Sequence, residues 1–317
     1  MWLINGKWFM HAVHDFAHKY SIPFENIYFE SGNAKIQQVY DKWHQIYAPN
    51  DGKINVSVAS WCFDLYQRSN AEFRDLLYTI DPPTHIRKYK YNNFNRNMLA
   101  HRQKLMLAMW ENKILDTAQI VSYHYWKDVD HLPWYPVPDE LNDLMPIQYD
   151  IKGDWQTAFD ELFRIDPNHG GGDWNKVGDY RYIYENCYFT ITTESSECYG
   201  LADYSSDSKL NSYMREFHRE LFVTEKTTRP MLNLHPQIIY CSTGTLEFLK
   251  SKGFKTFSNY WNEDYDNEEN PDKKIELIIS LIKQLNNKPI EELHEMYWDM
   301  MPILKHNQEL LLNGIDT

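Results

Sequence analysis

Two stretches of sequence decide the predicted fold: LFVTEKTTRP (residues 221–230) and its lead-in YIYENCYFTITTE (residues 182–194). The lead-in is rich in aromatic and β-branched residues and ends at Glu194, which is typical of a buried strand with a carboxylate at its C-terminal tip. Because α/β proteins bind their ligands at that edge of the sheet, Glu194 is a candidate site residue.

A helix is predicted to begin directly after the apolar run 221–223. Thr224 can cap this helix, and Glu225 and Lys226 then lie in its first turn. A helix N-terminus offers free N–H groups and a partial positive charge. Lys226 is therefore poorly placed for the helix dipole but well placed for a phosphate group, which the same N–H groups would bind.

The rest of the chain alternates strand-like and helical segments, which predicts an α/β fold with parallel sheets and right-handed crossovers. Strands are predicted at residues 22–30, 54–60, 85–94, 120–123, 236–242 and 253–257. Helices are predicted at residues 34–47, 63–77, 98–112, 245–251, 274–285 and 290–312.

A basic, aromatic segment at 85–94 leads into the predicted helix 98–112, so that Arg96, His101 and Arg102 lie near a strand-to-helix junction. A guanidinium group is planar, always charged and able to bind two phosphate oxygens at once. The junction is therefore a candidate diphosphate clamp. The alternative is a helix N-terminus whose basic residues are simply solvated.

Charge and composition exclude several classes of protein. The net charge of −13 and the pI of about 5.4 argue against general binding to nucleic-acid phosphates, although a local basic cleft is compatible with both values. The four cysteines show no metal-binding spacing, which favours a reducing compartment. No long apolar run and no signal-peptide pattern occur, so a cytoplasmic chain without a membrane span is expected, in the host cytoplasm if the protein is viral.

Two groups of residues have some of the features of a metal site. His11, His14 and His18 share a helical face, and the acidic run NEDYDNEENPD fills residues 262–272. A histidine-rich surface helix and a solvated acidic loop are the more common explanations of such patterns. The sequence therefore predicts no bound metal ion.

The order of an aromatic-rich strand, Glu194-Ser195, a variable insert and Val223-Thr224-Glu225-Lys226 resembles the donor-binding half of the inverting α-1,3-fucosyltransferases and related GT-B glycosyltransferases. The likeness extends over about residues 84–260, and its specific part is 223–226. The resemblance implies a GT-B-like fold of two Rossmann-like domains. It also implies that the carboxylates face the ribose of a nucleoside diphosphate sugar, that Lys226 binds its phosphates, and that Arg102 matches the phosphate-binding arginine.

The domain limits follow from the chain length and from this resemblance. A length of 317 residues predicts two domains, and Pro82 and Pro83 mark the boundary between them. Residues 1–83 are predicted to form the acceptor-side domain and residues 84–288 the nucleotide-sugar-binding domain. Residues 289–317 are predicted to form a terminal helix that crosses back to the first domain.

The predicted function is transfer of a sugar from a nucleoside diphosphate donor to a hydroxyl group of a carbohydrate acceptor, with no cofactor. Charge on the leaving diphosphate is expected to be balanced by positive side chains and the helix N-terminus rather than by a metal ion. Asp64 and His14 are the candidates for the base that deprotonates the acceptor. The full set of predicted donor-binding residues is Arg96, His101, Arg102, Glu194, Thr224, Glu225, Lys226 and Arg229.

Three alternatives stay open at the level of sequence. The chain could glycosylate a modified base in phage DNA, although its acidic charge counts against this. It could bind a nucleotide sugar or another sugar without turnover. It could also be a different α/β enzyme, such as a nucleotide-sugar hydrolase.

Overall fold

Four parallel strands form the sheet on which the candidate site is built. A computed structural model describes residues 3–4, 7–58, 82–95, 100–114, 118–122, 181–194 and 221–313. The strands are β5 (Tyr89–Asn95), β6 (Ala118–Ser122), β7 (Cys187–Thr193) and β8 (Gln237–Tyr240), and their order in the sheet is β6-β5-β7-β8. All neighbouring pairs run parallel, which confirms the predicted α/β class.

The strand order changes direction between β5 and β7. The chain passes from β5 through helix α3 (Ala100–Glu111) outward to β6, and from β7 through helix α5 (Glu225–Leu232) outward to β8 on the other side. Because crossovers of this kind are almost always right-handed, connections in opposite directions are expected to place the two helices on opposite faces of the sheet. A crevice is then expected at the carboxyl ends of β5 and β7, which is where ligands bind in open α/β sheets.

The strand β7 is buried along its whole length, because helices and loops cover both faces of the sheet. It is shorter than predicted, since residues Arg181–Asn186 form helix α4 instead of the first part of the strand. A short aromatic run does not by itself distinguish a buried strand from a helix. The strand-like residues 22–27 likewise contain a 3-10 turn at Phe24–Asn26.

The main hydrophobic core lies between this sheet and the C-terminal helices. These helices are α6 (Thr245–Ser251), α7 (Pro271–Asn286), α8 (Ile290–Asp299) and α9 (Met301–Asn313). Asn270 caps α7 by accepting hydrogen bonds from the N–H groups of Asp272 and Lys273, and Pro271 occupies the first helical position. The helix predicted at 290–312 is in fact two helices, with Met300 at the end of the first and Pro302 in the first turn of the second.

The N-terminal residues form a second, smaller unit with its own core. It contains the antiparallel pair β1 (Leu3–Ile4) and β2 (Lys7–Trp8), then α1 (Phe9–Tyr20), β3 (Tyr28–Ser31), α2 (Ile36–Tyr47) and β4 (Asn55–Val58). The strands β3 and β4 are parallel, which confirms the predicted βαβ unit. Tyr40 and Trp43 of α2 are fully buried in a cluster separate from the main core.

The two units touch where β3 ends. The N–H of Ala34 donates to the carbonyl of Leu221 (2.9 Å), and the N–H of Leu221 donates to Asn33 Oδ1 (3.1 Å). Asn33 also forms a β-bridge with Phe222. The carboxyl end of β3 therefore lies beside the segment that leads into α5.

The described contacts of the last helix, α9, are with the unit that contains the four-stranded sheet, not with the N-terminal unit. Gln308 Nε2 donates to the carbonyl of Leu232 (2.7 Å), and the side chain of Asn307 bonds to the backbone of Lys255. The predicted crossing back to the first domain, like the domain limits at 83 and 288, stays a prediction. No helix in the described part of the chain combines the length and the apolar character needed to cross a bilayer.

Candidate functional site

Glu194 lies at the carboxyl end of β7, at the crevice between β5 and β7. Its N–H donates to the carbonyl of Tyr240 (3.1 Å), so the end of β7 is fixed to the end of β8. Its side chain is fully buried, at 0% exposure. A buried carboxylate is costly unless hydrogen bonds satisfy it, so its partners define what the residue does.

The Glu194 carboxylate holds the N-terminus of α5. Oε1 accepts hydrogen bonds from the N–H of Thr224 (2.9 Å) and the hydroxyl of Thr227 (2.6 Å), and Oε2 accepts one from the hydroxyl of Thr224 (2.7 Å). A negative group at this position also complements the helix dipole. Glu194 therefore positions the helix that carries Glu225 and Lys226.

Thr224 caps α5, as predicted. Its backbone is extended (φ −119°, ψ −169°), and its hydroxyl oxygen accepts hydrogen bonds from both the N–H and the Nζ of Lys226, each at 3.3 Å. The Lys226 side chain therefore folds back over the cap. This places an ammonium group at the helix N-terminus, next to the crevice.

His101 and Arg102 reach the same point from α3. His101 Nε2 (2.8 Å) and Arg102 Nη2 (3.1 Å) both contact the carbonyl oxygen of Glu194. Because a carbonyl only accepts, the Nε2 of His101 carries the proton. The two side chains are 6% and 2% exposed, so a guanidinium group is buried at the tip of β7.

Two side-chain cations, Arg102 and Lys226, influence His101 at the end of β7. Burial, together with the positive charges of Arg102 and Lys226, lowers the pKa of His101 to about 3 against the opposing effect of the Glu194 carbonyl. His101 is therefore neutral at physiological pH and leaves the positive charge to its two neighbours.

Asn93 and Thr227 belong to the site but were not predicted from the sequence. Asn93 Nδ2 donates to the carbonyl of Ile191 (2.7 Å) and to the hydroxyl of Thr193 (3.1 Å), which links the ends of β5 and β7. Thr227 is completely buried under Glu194. The sequence contained two signals for these site residues. One is the polar end of the predicted strand 85–94, and the other is the hydroxyl residue one turn after Thr224.

Five of the predicted donor-binding residues come together at this crevice. They are His101, Arg102, Glu194, Thr224 and Lys226. Arg229 lies further along α5 and is buried. Four predicted features lie outside what the structure describes: Arg96, the candidate base Asp64, the side chain of Glu225 and the helix 63–77.

His14, the other candidate base, lies elsewhere. It is buried, with Nδ1 at 2.9 Å from Asp51 Oδ2 and Nε2 at 3.2 Å from the Tyr40 hydroxyl. Asp51 precedes β4, so this cluster is at the amino end of the β3–β4 pair, opposite the end that contacts Leu221. Burial lowers the pKa of His14, although Asp51 opposes the shift. The structure does not bring His14 to the crevice.

The three histidines of α1 do not converge on one point. His18 Nε2 shares Asp51 Oδ2 with His14, whereas His11 accepts a hydrogen bond from the indole N–H of Trp43. Within the described ranges, no group of three or more His, Cys, Asp or Glu side chains has the geometry of a metal site.

An Asp-x-Asp triplet, which is typical of metal-dependent glycosyltransferases, occurs at Asp264–Asp266 in the acidic run. Here Asp266 Oδ2 accepts the N–H of Leu246 at the start of α6 (3.0 Å). Burial raises the pKa of Asp266, while the positive charge of Lys274 and the helix N–H groups oppose the shift. Asp266 therefore caps a helix. A second triplet, at residues 128–130, is outside the described residues.

Comparison with known proteins identifies no relative of this chain. No family model matches it, and neither a curated protein nor a solved structure is significantly similar to it.

Proposed function

We propose that this chain is a GT-B-like glycosyltransferase that moves a sugar from a nucleoside diphosphate donor to a hydroxyl acceptor. The observation that carries the proposal is the convergence of Arg102, Lys226 and the N-terminus of α5 on the carboxyl end of β7. A diphosphate is stabilised by fixed positive charge and by the positive end of a helix dipole. Nucleotides also bind at this edge of parallel sheets.

The chemistry follows from the charges at the crevice. When the bond between the sugar and the diphosphate breaks, negative charge develops on the leaving phosphate oxygens. Lys226 and Arg102 are held in place by Thr224 and Glu194, so they would stabilise that charge without reorganising. Because the Glu194 carboxylate is occupied by the helix, the ribose contact in this proposal is made by Glu225.

The N-terminal unit supplies the acceptor side in this proposal. Its β3–α2 loop touches the segment that leads into α5, through Asn33 and Ala34. A group from this unit, with Asp64 the remaining candidate, deprotonates the acceptor hydroxyl. We place the reaction in a reducing cytoplasm because Cys187 and Cys241 are not joined in a disulfide and the other two cysteines have no paired spacing.

The test is donor binding by wild-type protein and two lysine variants. Thermal-shift and calorimetric titrations with UDP, GDP, CDP and ADP sugars identify the donor. Lys226→Ala is expected to weaken its binding at least tenfold, since a hydrogen bond between charged groups is worth about 1.5–3 kcal/mol. Lys255→Ala is the matched control, because Lys255 is exposed in the loop after α6.

The outcomes separate the alternatives. Unchanged affinity and melting temperature in Lys226→Ala would contradict the proposed phosphate contact. Donor binding without transfer to any acceptor would identify a binding protein, and release of free sugar without an acceptor would identify a hydrolase. A gel shift with duplex DNA at low salt would redirect the search to modified bases.

A further inference from the structure

The loop after β3 carries the chain from one hydrophobic core to the other. Ile36, the first residue of α2, belongs to the core of the N-terminal unit, whereas Ala34 packs against the main core. Asn33 precedes Ala34 in this loop and is only 3% exposed. A buried amide is costly unless it is hydrogen-bonded, so the partners of Asn33 indicate its role.

The Asn33 side chain is fixed by its own loop before it reaches the other unit. Its Oδ1 accepts the N–H of Lys35 (2.9 Å), in the turn that asparagine commonly forms with its own backbone. Its N–H donates to the Ser31 hydroxyl (3.2 Å), and its carbonyl accepts the N–H of Ile36 (3.0 Å). The same Oδ1 accepts the N–H of Leu221 (3.1 Å). The loop therefore presents this oxygen to Leu221 in a fixed orientation.

The segment 221–223 is held by both units just before α5 begins. Leu221 bonds to the N-terminal unit through its N–H and also through its carbonyl, which accepts from Ala34 (2.9 Å). The carbonyl of Phe222 accepts from the Cys241 thiol at the end of β8 (3.6 Å). Thr224, the cap of α5, follows directly. Three residues of chain span at most about 10 Å, so the N-terminal unit holds the chain close to this cap.

The first turn of α5 is thus positioned from two sides. The Glu194 carboxylate holds Thr224 from β7, and Asn33 holds the chain that enters the cap. A charged group stabilises a phosphate best when it is fixed in advance. We infer that Asn33 is a positioning residue of the donor site, which couples the N-terminal unit to the first turn of α5 and thereby to Lys226. This inference rests on the proposed function, because the donor diphosphate is what Lys226 is proposed to bind.

Hydrogen exchange in the full-length protein tests the coupling without any ligand. Asn33→Ala removes the acceptor of the Leu221 N–H, whereas Asn33→Asp keeps an acceptor oxygen in the same place. Loss of a buried hydrogen bond shifts a local opening equilibrium by roughly 5- to 100-fold, so residues 221–232 are expected to exchange about fivefold faster or more in Asn33→Ala. Exchange there should stay as in wild type in Asn33→Asp. Exchange in α7 should be unchanged in both variants.

Calorimetric titration with UDP, GDP, CDP and ADP then tests the effect on the donor site. Asn33→Ala is expected to weaken binding of the preferred diphosphate by about three- to tenfold, which is no more than the loss expected for Lys226→Ala. Because Asn33 acts through Lys226, adding Asn33→Ala to Lys226→Ala should change binding by less than about twofold. A residue that only stabilised the fold would not show this dependence.

Asn55→Ala is the matched control. Asn55 Nδ2 donates to the carbonyl of Glu25 (2.7 Å), so this bond lies within the N-terminal unit and does not reach segment 221–223. Both diphosphate affinity and exchange at 221–232 are expected to remain as in wild type.

Four results would overturn the inference. They are unchanged exchange at 221–232 in Asn33→Ala, faster exchange that extends equally to α7, equally fast exchange in Asn33→Asp, and independent losses of affinity in the double variant. If wild type binds a diphosphate and Asn33→Ala binds it equally well, the inference fails and the proposed function stands. If wild type binds none of the four diphosphates, the proposed function fails and hydrogen exchange alone decides the coupling.

Discussion

Glu194→Gln tests whether this carboxylate organises the site. The side chain accepts three hydrogen bonds, from the N–H and hydroxyl of Thr224 and from the hydroxyl of Thr227. The substituted amide keeps one oxygen, now uncharged, and turns an NH₂ group towards the Thr224 hydroxyl. Hydrogen bonds to a charged group contribute about 1.5–3 kcal/mol and neutral ones about 1 kcal/mol.

These values give the expected size of the effect. Loss of one charge-assisted bond and weakening of two others sum to about 3–5 kcal/mol, and the smaller desolvation cost of an amide offsets about 1 kcal/mol of this. The free energy of unfolding should therefore fall by about 2–4 kcal/mol. For a unit of this size, the melting temperature should drop by about 5–15 °C.

Urea denaturation followed by tryptophan fluorescence measures the change, and a double-mutant cycle assigns it. Glu194→Gln combined with Thr227→Val should show a coupling energy of about 1 kcal/mol or more, because the two side chains share a bond. Thr190→Val is the matched control. It removes a buried hydroxyl bonded to His235 Nδ1, about 13 Å along β7 from Glu194, and should not couple. An unchanged midpoint for Glu194→Gln, or additive behaviour with Thr227→Val, would refute this account.

Three further predictions concern pH, metal ions and the donor ribose. Burial lowers the pKa of His101 and His235 to about 3 from 6.5, so the unfolded chain binds protons that the folded chain does not between these values. The free energy of unfolding should therefore decrease as the pH falls through this window, by about 2 kcal/mol per histidine between pH 7 and pH 5. In urea titrations at several pH values, His101→Gln should show a smaller decrease than the wild type. Transfer activity should survive exhaustive chelation with EDTA, since Arg102 and Lys226 balance the diphosphate; activity restored only by Mg²⁺ or Mn²⁺ would show that their role is shared. Glu225→Gln should reduce discrimination between ribose and 2′-deoxyribose donors, because an amide accepts fewer hydroxyl protons, and competition titrations with the two nucleotides measure it.

Helices with ends encoded by nearby residues could be predicted from the sequence. Helix α6 was predicted at its observed limits, Thr245–Ser251. The signal for its end is Gly253, because glycine readily adopts the left-handed conformation that ends many helices, and it does so here (φ +88°). The Thr224 cap was predicted in the same way. Such signals lie within a few residues of the structure that they specify.

The segment 253–257 shows where local information fails. It was predicted to be a strand, but the described structure has no regular element there. The side chain of Asn307 accepts from the Lys255 N–H and donates to its carbonyl, both at 2.8 Å, as a neighbouring strand would do. Glu263 accepts the N–H of Phe257. Side chains from outside the segment thus satisfy the hydrogen-bonding groups of its backbone, so the segment needs no neighbouring strand.

The sequence by itself determined the elements of the candidate site: a strand ending in Glu194, a capped helix carrying Lys226, and basic residues at the start of another helix. It did not determine the partner of each group. Only the tertiary structure pairs β5 with β7, and this pairing brings Arg102 to the Glu194 carbonyl across 92 residues of chain. It also commits the Glu194 carboxylate to Thr224 and Thr227, so that this group holds the start of α5. Local spacing encodes helix caps and strand ends, whereas the contacts that assign a role to a charge depend on which strands become neighbours.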